Sequence, residues 1–221
     1  MNSIEKLTQI FSQFPGIGPR QARRFVYFLL TRNNGTIHEL IENISSLKDD
    51  VTICNQCQRF FDSSYQNTNG QKNICKICSD QNRDNSTLMI VQRDADLETI
   101  EKNGNFNGVY FVLGGSVPIL EKEPEKRIRI KELEKKLREE TSSAKSKNLN
   151  TETGLKEIIL AMNWNPEGEN TGDYVKKKIE EWTKNLNKKI KISNLGKGLS
   201  MGTELEYIDS DTLKNALKNR N

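Results

Sequence analysis

Apolar residues in the first 50 positions recur at the three- and four-residue spacing of amphipathic helices. Three series show this spacing: Ile4, Leu7, Ile10 and Phe11; then Ala22, Phe25, Val26 and Leu29; then Ile37, Leu40, Ile41, Ile44 and Leu47. Pro19 suits the first position of the second helix, and Thr36 with Glu39 forms a capping-box pattern that opens the third. Residues 1–50 are therefore predicted to be a small helical domain in which the third series is turned inward.

From residue 86 the pattern changes to short, β-rich apolar runs, which read STLMIVQ, GVYFVLGG, LKEIILAMN and KKIKISNLG. Helical stretches are predicted between these runs, at 95–103, 130–140 and 171–186. Strands that alternate with helices indicate parallel βαβ units with both faces of the sheet covered. The sequence from 86 onwards therefore predicts a parallel α/β domain.

Two stretches follow neither pattern. Residues 51–85 contain four cysteines and many Asn, Gln and Ser residues, so apolar side chains are too few there to build a core. The mostly charged segment 121–153 is predicted to be a solvated helix followed by a loop. These changes divide the chain into four predicted parts: helices at 1–50, a cysteine module at 51–80, an α/β domain at 86–185, and a C-terminal segment at 186–221. That last segment is predicted to contain an edge strand, LEYI at 205–208, and a helix from about 211.

The charge of the chain is concentrated at one end. The 221 residues carry a formal net charge of +4, and residues 1–35 contain five cations against the single anion Glu5. A basic module favours a polyanion partner such as nucleic acid, although an ordinary solvated arginine face gives the same count. No apolar run approaches 18 residues, and the N-terminal residues lack the layout of a signal peptide. A cytoplasmic protein that does not span a membrane is expected.

The turn FPGIGPR, at 14–20, gives the basic module a specific chemistry. Gly16 and Gly18 allow a sharp reversal and leave backbone amides open to a phosphate. The helix that starts at Pro19 presents its positive end to the same place, and Arg20 and Arg24 lie one turn apart on it. This pattern resembles the helix-hairpin-helix motif, which contacts the DNA backbone without reading sequence. The alternative is a helical hairpin used only for packing or oligomerisation.

The cysteines form two C-x-x-C pairs, Cys54 with Cys57 and Cys75 with Cys78. Two such pairs are typical of a structural, tetrahedral zinc site of the C4 zinc-finger type. The only histidine, His38, has no ligand spacing and is expected on the surface of the third helix. Disulfides are the alternative interpretation, but a chain without a signal peptide is expected in a reducing compartment. One structural Zn²⁺ per chain would supply folding energy that residues 51–85 otherwise lack.

The α/β domain places polar residues after two of its strands. Its arrangement resembles the Toprim fold, whose active members hold magnesium with a glutamate after the first strand and an Asp-x-Asp after the third. The first position here is Gln92, and the later segment has Asn163, Glu167 and Glu169 without an Asp-x-Asp. A neutral amide cannot act as a general base and binds magnesium weakly. The sequence therefore predicts no catalytic residues.

Two further residue types have simple expected roles. Asp94 and Asp96 are expected to cap the helix after the first strand of the α/β domain. Trp164 and Trp182 are expected to be packing or interface residues. None of these residues adds a catalytic group to the prediction.

Taken in sequence order, these motifs resemble the bacterial recombination mediator family RecR along essentially the whole chain. The matching segments are FPGIGPRQARR, the four cysteines, IVQRDADLETIE with YFVLGGSVPILE, NWNPEGENT, and GKGLSMGTELEYIDSDTL. The resemblance implies a non-enzymatic DNA repair role, in which RecR acts with RecO, and in some pathways RecF, to load RecA on single-stranded DNA. It also implies sequence-independent binding of single-stranded and duplex DNA, a homodimer or ring tetramer, and association with the nucleoid.

The same resemblance assigns roles to individual residues. Gly16, Gly18, Arg20 and Arg24 take the hairpin positions linked to DNA contact, and the four cysteines take the zinc positions. Glu167 and Glu169 fall in the segment associated with partner contact. The chain departs from the family in a longer spacer between the cysteine pairs (SSYQNTNGQKN), in ILEKEPEKRI, in an expanded 141–153 region, and at Trp164.

Two other functions remain open from the sequence. One is a magnesium-dependent Toprim nuclease or primase relative that uses an altered acidic set: Asp94, Glu167 and Glu169. The other is a zinc-stabilised interaction hub whose DNA contacts are made entirely by its partners. The neutral side chain of Gln92 argues against the enzyme. Removal of Arg20 and Arg24 would separate the other two functions, because a hub should tolerate that change in a DNA assay and a scaffold that binds DNA should not.

Overall fold

The computed structural model describes residues 1–65, 72–143, 154–185, 190–196, 198, 202 and 204–218. It divides the chain into two compact units, Met1–Thr52 and Ile53–Asn221. No helix in the described ranges is long and apolar enough to cross a bilayer. The predicted bulge in the cysteine spacer falls largely at 66–71, and the expanded region at 141–153 falls largely at 144–153, both outside the described residues.

The first unit consists of three helices: α1 (Ser3–Phe11), α2 (Pro19–Leu30) and α3 (Asn34–Asp50). Pro19 opens α2 as predicted, because its fixed φ and missing N–H suit a first helical position. Ala22 and Val26 of α2 are buried, and the Phe11 and Phe25 rings meet edge to face with centroids 6.0 Å apart. The predicted apolar face of α2 thus packs against α1.

The predicted start of the third helix is wrong. The helix begins at Asn34, and Asn33 caps it by accepting a hydrogen bond from the Thr36 backbone N–H at 2.8 Å. Asparagine is as good a capping residue as threonine, and it comes first along the chain. Thr36 and Glu39 therefore lie inside α3 and do not form a capping box at its start.

The predicted inward direction of the apolar series on α3 is also wrong. Leu40, Ile41, Ile44 and Leu47 are 41%, 54%, 62% and 59% exposed. A buried stripe needs a facing surface, and the apolar faces of α1 and α2 are already used against each other. The structure therefore leaves an apolar stripe on α3, made of these four residues, open to solvent.

The cysteine module comes next, and the boundary between the two units, after Thr52, falls within its first strand. Strands β1 (Val51–Ile53) and β2 (Phe60–Asp62) form a two-stranded sheet. The short helix α4 (Lys76–Ser79) begins directly after Cys75, the first cysteine of the second pair. Cys54 and Cys57 lie on a tight turn, Cys75 directly precedes α4, and Cys78 lies within that helix. Gln58 and Asn73, close to the two pairs, have φ values of 62° and 58°. In the described part of the module, the regular elements are therefore short and lie close to the cysteines.

A four-stranded parallel sheet follows, in the order β4-β3-β5-β6. The strands are β3 (Asp84–Val91), β4 (Gly108–Val112), β5 (Glu157–Ala161) and β6 (Lys191–Asn194). Helices α5 (Asp94–Asn103), α6 (Ile130–Ser143) and α7 (Pro166–Asn185) connect or follow them. The predicted mixed α/β fold with a parallel sheet is confirmed, and β6, beyond residue 185, is an edge strand of that sheet.

Helix α7 begins five residues before its predicted start at 171. Pro166 takes the first helical position, and the Asn165 side chain accepts a hydrogen bond from the Gly168 N–H at 2.7 Å. The polar composition of NPEGENTG conceals this start, because apolar spacing appears only further along the helix. The early start brings Glu167 and Glu169 into the first turn of α7.

The sheet has a separate core on each face. Leu88 and Ile90 of β3 point to one face, where buried residues of α6 and α7 such as Leu133 and Ile179 cover them. Met89 and Val91 point to the other face, where they share a core with α5 and with the cysteines. This alternation follows from the two-residue period of a strand. The cysteine module therefore packs on this face of the sheet and shares its core.

The described C-terminal residues contain one corrected element. Residues 205–208 were expected to form an edge strand, but Leu205–Tyr207 form a single 3-10 turn. The final helix, α8 (Ser210–Lys218), agrees with its prediction, and the Asp209 carboxylate caps it by accepting the Thr212 N–H at 2.9 Å.

Candidate nucleic-acid interface and metal centre

The turn between α1 and α2 leaves its backbone open. Gly16 has φ +76°, a left-handed conformation that favours glycine, and Gly18 is the extended residue that precedes Pro19. A Cβ placed on either glycine would have no heavy atom within 4 Å. A ligand can therefore approach this backbone closely, at the point where the amino end of α2 presents unpaired N–H groups.

Arginine side chains flank the same turn. Arg20, Arg23 and Arg24 are all exposed on α2, and Arg20 and Arg24 lie one helical turn apart. Arg24 donates to the Gln21 side chain at 3.4 Å, and none of the three makes an ion pair within the described part of the chain. Their positive charge is therefore not neutralised, and together with the turn it can hold an anionic backbone.

The four cysteine sulfurs converge on one point. Their Sγ atoms all lie within 4.8 Å of one another; Cys54, Cys57 and Cys75 are buried, and Cys78 is half-buried. The Cys57 and Cys75 sulfurs are 3.6 Å apart. Sulfurs at about 2.3 Å from a tetrahedral metal lie ~3.8 Å apart, whereas a disulfide needs ~2.05 Å. All four are free thiols in the structure, so the geometry fits one metal ion and not two disulfides.

The pKa values of these thiols also favour a bound cation. Hydrogen bonds from Cys57, Cys75 and Cys78 lower the pKa of Cys54, so one thiolate is stabilised by its neighbours. Hydrogen bonds with Cys54 first, and then burial, raise the pKa values of Cys57 and Cys78. Four thiolates therefore cannot share this space on their own, and a metal ion would remove the obstacle by neutralising them.

Three contacts attach the cysteine module to the sheet. The Val112 N–H of β4 donates to the Cys57 carbonyl at 2.8 Å. The Arg129 guanidinium donates to the Gln58 carbonyl and lies over the Phe60 ring, 5.3 Å from its centroid. The Asp94 carboxylate accepts the Phe60 N–H at 2.8 Å. The metal site is therefore part of the second unit's packing.

Of the two aspartates that were expected to cap α5, Asp96 does so and Asp94 does not. The Asp94 carboxylate binds the backbone of β2 and does not cap α5, whereas the Asp96 carboxylate caps this helix by accepting a hydrogen bond from the Arg93 N–H at 3.0 Å.

The role of Arg129 is not predictable from the sequence, because this residue lies in a charged segment that has the composition of a solvated one. Only the contact with Gln58, 71 residues away, reveals its role.

An amide side chain, that of Gln92, lies at the carboxyl end of β3. Gln92 is 2% exposed, and its side-chain oxygen accepts the Asn163 N–H at 3.2 Å. Its backbone carbonyl accepts the Gly114 N–H at 2.9 Å. Gln92 therefore ties together the ends of three strands, a structural use that needs no charge.

Glu167 and Glu169 are exposed on the first turn of α7, near this end of the sheet. Glu167 accepts a hydrogen bond from the Ser116 hydroxyl at 2.6 Å, which joins α7 to the loop after β4. Glu169 lines a cavity of about 230 Å³ together with Trp164, which is 50% exposed. Both carboxylates thus face outward, where another molecule can reach them.

The remaining sequence predictions have simple outcomes. His38 is exposed on α3, as expected. Trp182 packs partly buried against the core that α6 and α7 cover, also as expected. The structure brings the four cysteines together in one site, and it places Gly16, Gly18, Arg20 and Arg24 on one hairpin in the other unit.

Family models match three parts of the chain. A model described as "RecR, helix-hairpin-helix" matches residues 4–47, a Toprim domain model matches 86–195, and a model described as "RecR, C-terminal" matches 198–221. The Toprim match includes β6. The three matches follow one another along the chain and together cover most of it.

Full-length relatives agree with these matches. The chain is 33% identical over 220 residues to recombination protein RecR of Phytoplasma mali, an alignment that covers 99% of this chain and 94% of the relative. It is 33% identical over 219 residues to recombination protein RecR of Rickettsia typhi, covering 99% and 96%. It is 31% identical over 220 residues to recombination protein RecR of Bdellovibrio bacteriovorus, covering 100% and 97%.

Proposed function

The chain belongs to the RecR family of recombination proteins, and we propose that it is a non-enzymatic scaffold that binds DNA during recombinational repair. In this proposal it acts with a RecO-like protein, and in some pathways with a RecF-like protein, to load RecA on single-stranded DNA. The observation that carries the proposal is the hairpin of α1 and α2. Its open glycine turn and unpaired arginines suit the DNA backbone and not a base sequence.

The metal in this proposal is one structural Zn²⁺ per chain, bound by Cys54, Cys57, Cys75 and Cys78. Four thiolates and no open position are typical of structural zinc, and the buried location of three sulfurs supports that role. When bound, the ion neutralises the thiolates and holds the two cysteine turns together. The chain's own residues then position this module against β4 through Cys57 and Arg129.

Partner binding is assigned to the carboxyl end of the sheet. Glu167 and Glu169 are exposed there on one helical turn, and the hydrogen bond from Ser116 fixes the direction of Glu167. Two exposed carboxylates, one of them held in place by Ser116, suit basic side chains of a RecO-like protein.

The test of this function is RecA assembly on single-stranded DNA coated by single-strand-binding protein, with a RecO-like partner present. The native chain is expected to accelerate assembly, and an Arg20→Ala/Arg24→Ala variant is expected to return it to the rate without this protein. A Lys6→Ala/Lys48→Ala variant, which removes two exposed charges from the same unit, serves as the control. Full activity of the hairpin variant would support the hub that leaves DNA contact to its partners.

The competing function is a magnesium-dependent nuclease or primase relative. The buried amide of Gln92 does not favour it, since that position offers no carboxylate for a metal. Magnesium-dependent nicking by the purified native chain, abolished by Glu167→Ala, would replace the proposed function with this one.

The proposal includes a homodimer or a ring tetramer, and the apolar stripe on α3 supplies a surface for it. Substitution of Ile44 by Asp places a charge in the middle of that stripe, where association would bury it at a cost of several kcal/mol. The Ile44→Asp variant is therefore expected to shift the mass measured by light scattering towards the 25.3 kDa of one chain. His38→Asp puts the same acid on an exposed polar position of the same helix and is expected to leave the mass unchanged. A native mass of one chain, or an Ile44→Asp variant with the native oligomeric mass, would contradict this role of the stripe.

A further inference from the structure

A second basic surface lies in the second unit of the chain. A groove of about 600 Å³ runs between α7 and the edge strand β6. Its walls contain four lysines and one carboxylate: Lys156, Lys176, Lys184, Lys191 and Glu180. We call these five residues with the groove they line the lysine groove. The core does not need these lysines, because other residues already cover both faces of the sheet.

Two lysines of the groove lie at the opposite end of the sheet from Gln92. Lys156 directly precedes β5 and Lys191 is the first residue of β6, so both lie at the amino ends of parallel strands. Gln92 follows β3 and lies at the carboxyl ends, where α/β sheets place their active sites. Lys176 lines both the groove and the cavity that contains Glu169, so the groove begins next to that cavity and continues along α7 to the amino end of β6.

Two of the lysines keep their charge available. Lys191 pairs with Glu157 at 2.9 Å, and the same carboxylate accepts a hydrogen bond from Ser193. Lys176 and Lys184 are exposed and make no ion pair within the described part of the chain. They are eight residues apart on α7, a distance of roughly 12 Å along the helix axis. Because phosphates of one DNA strand repeat every ~3.4 Å along the duplex axis, this spacing lets the two ammonium groups contact separate phosphates of one strand.

The lining favours a phosphodiester backbone over a protein partner. Among the described residues that line it, the apolar side chains are those of Ile190 and Ile192, which are half-buried, and none is aromatic. A protein partner usually anchors an aromatic or aliphatic side chain in a well-packed pocket, which this open groove lacks. Lysine ammonium groups act as point charges that hold phosphates without reading bases.

We propose that the lysine groove is a second nucleic-acid contact, in which Lys176 and Lys184 bind backbone phosphates of DNA; this inference rests on the proposed DNA-binding function. The site does not recognise a base sequence, and the counterions released from the phosphates that it contacts add to the free energy of binding. It makes the second unit a direct participant in DNA binding.

The test measures DNA binding by fluorescence anisotropy across a salt series, on single-stranded and duplex DNA. It compares the native chain with Lys176→Ala/Lys184→Ala, with Arg20→Ala/Arg24→Ala and with the control Lys102→Ala/Lys131→Ala. The control removes two exposed lysines from α5 and α6 that do not line the groove. Loss of two phosphate contacts is expected to reduce the slope of log affinity against log salt by about 1.4 on single strands and about 1.8 on duplex. The control is expected to keep the native slope.

The possible outcomes separate this inference from the proposed function. A weaker, less salt-dependent groove variant supports the groove, even if the hairpin variant binds like the native chain and the hairpin proposal fails. A groove variant with native affinity and slope overturns the inference and leaves the hairpin untouched. The inference is also overturned if no form binds DNA at low salt, or if the groove variant keeps DNA binding but loses binding to a polyglutamate peptide, which would identify an acidic protein as the occupant. A melting curve equal to the native one establishes that each variant is folded.

Discussion

Removal of the metal is expected to lower the melting temperature of the chain strongly and to unfold residues 51–85 first. Structural zinc contributes roughly 10–16 kcal/mol to the folding of small zinc modules, and few apolar side chains are available here to replace it. The change should also reach the sheet, because Cys54, Cys57 and Cys75 share a core with Met89 and Val91. Loss of the module exposes that face of β3 to water, which adds to the loss of stability.

Hydrogen exchange with and without a chelator, at elevated temperature, measures this effect segment by segment. Protection is expected to disappear first at 51–85 and then at β3 and β4, whose Val112 N–H donates to Cys57. Cys57→Ser, which deletes one thiolate, is expected to melt low and to be insensitive to chelator, and so it controls for effects of the chelator alone. A melting curve that does not change after metal analysis confirms removal of the ion would contradict the account of this module.

Replacement of both Arg20 and Arg24 by alanine is expected to weaken DNA binding by at least tenfold at low salt. Each arginine is exposed, unpaired in the described chain, and next to an open backbone turn, so each is free to contact a phosphate. Two lost phosphate contacts reduce the salt slope by about 1.4 on single strands and about 1.8 on duplex. The weakening should be the same for unrelated sequences, since backbone contacts carry no sequence information.

Local signals in the sequence predicted the elements that depend on few residues. Pro19 fixed the start of α2 because its backbone restriction acts at its own position. The two C-x-x-C pairs predicted a cluster of four sulfurs, since each pair needs only one tight turn. The strands of the parallel sheet were found because buried runs rich in Val, Ile and Leu have few other uses.

Features that depend on distant partners were not predictable in this way. The apolar series on α3 has the spacing of a buried face, but spacing does not say whether the same chain supplies a cover. Arg129 and Asp94 act through Gln58 and Phe60, and nothing near either residue in the sequence indicates those contacts. The lysine groove likewise joins residues of β6 and α7 with Lys156, which only the order of the strands brings together.

The most direct test of the central claim is DNA binding by the native chain and the Arg20→Ala/Arg24→Ala variant, measured by anisotropy from low to high salt. Lys6→Ala/Lys48→Ala removes the same charge from exposed positions of α1 and α3 and corrects for net charge alone. The account predicts that native binding falls steeply with salt, that the hairpin variant binds at least tenfold more weakly, and that the control binds like the native chain. Equal binding by all three proteins would contradict it, and the hairpin would then be a packing element of the helical unit.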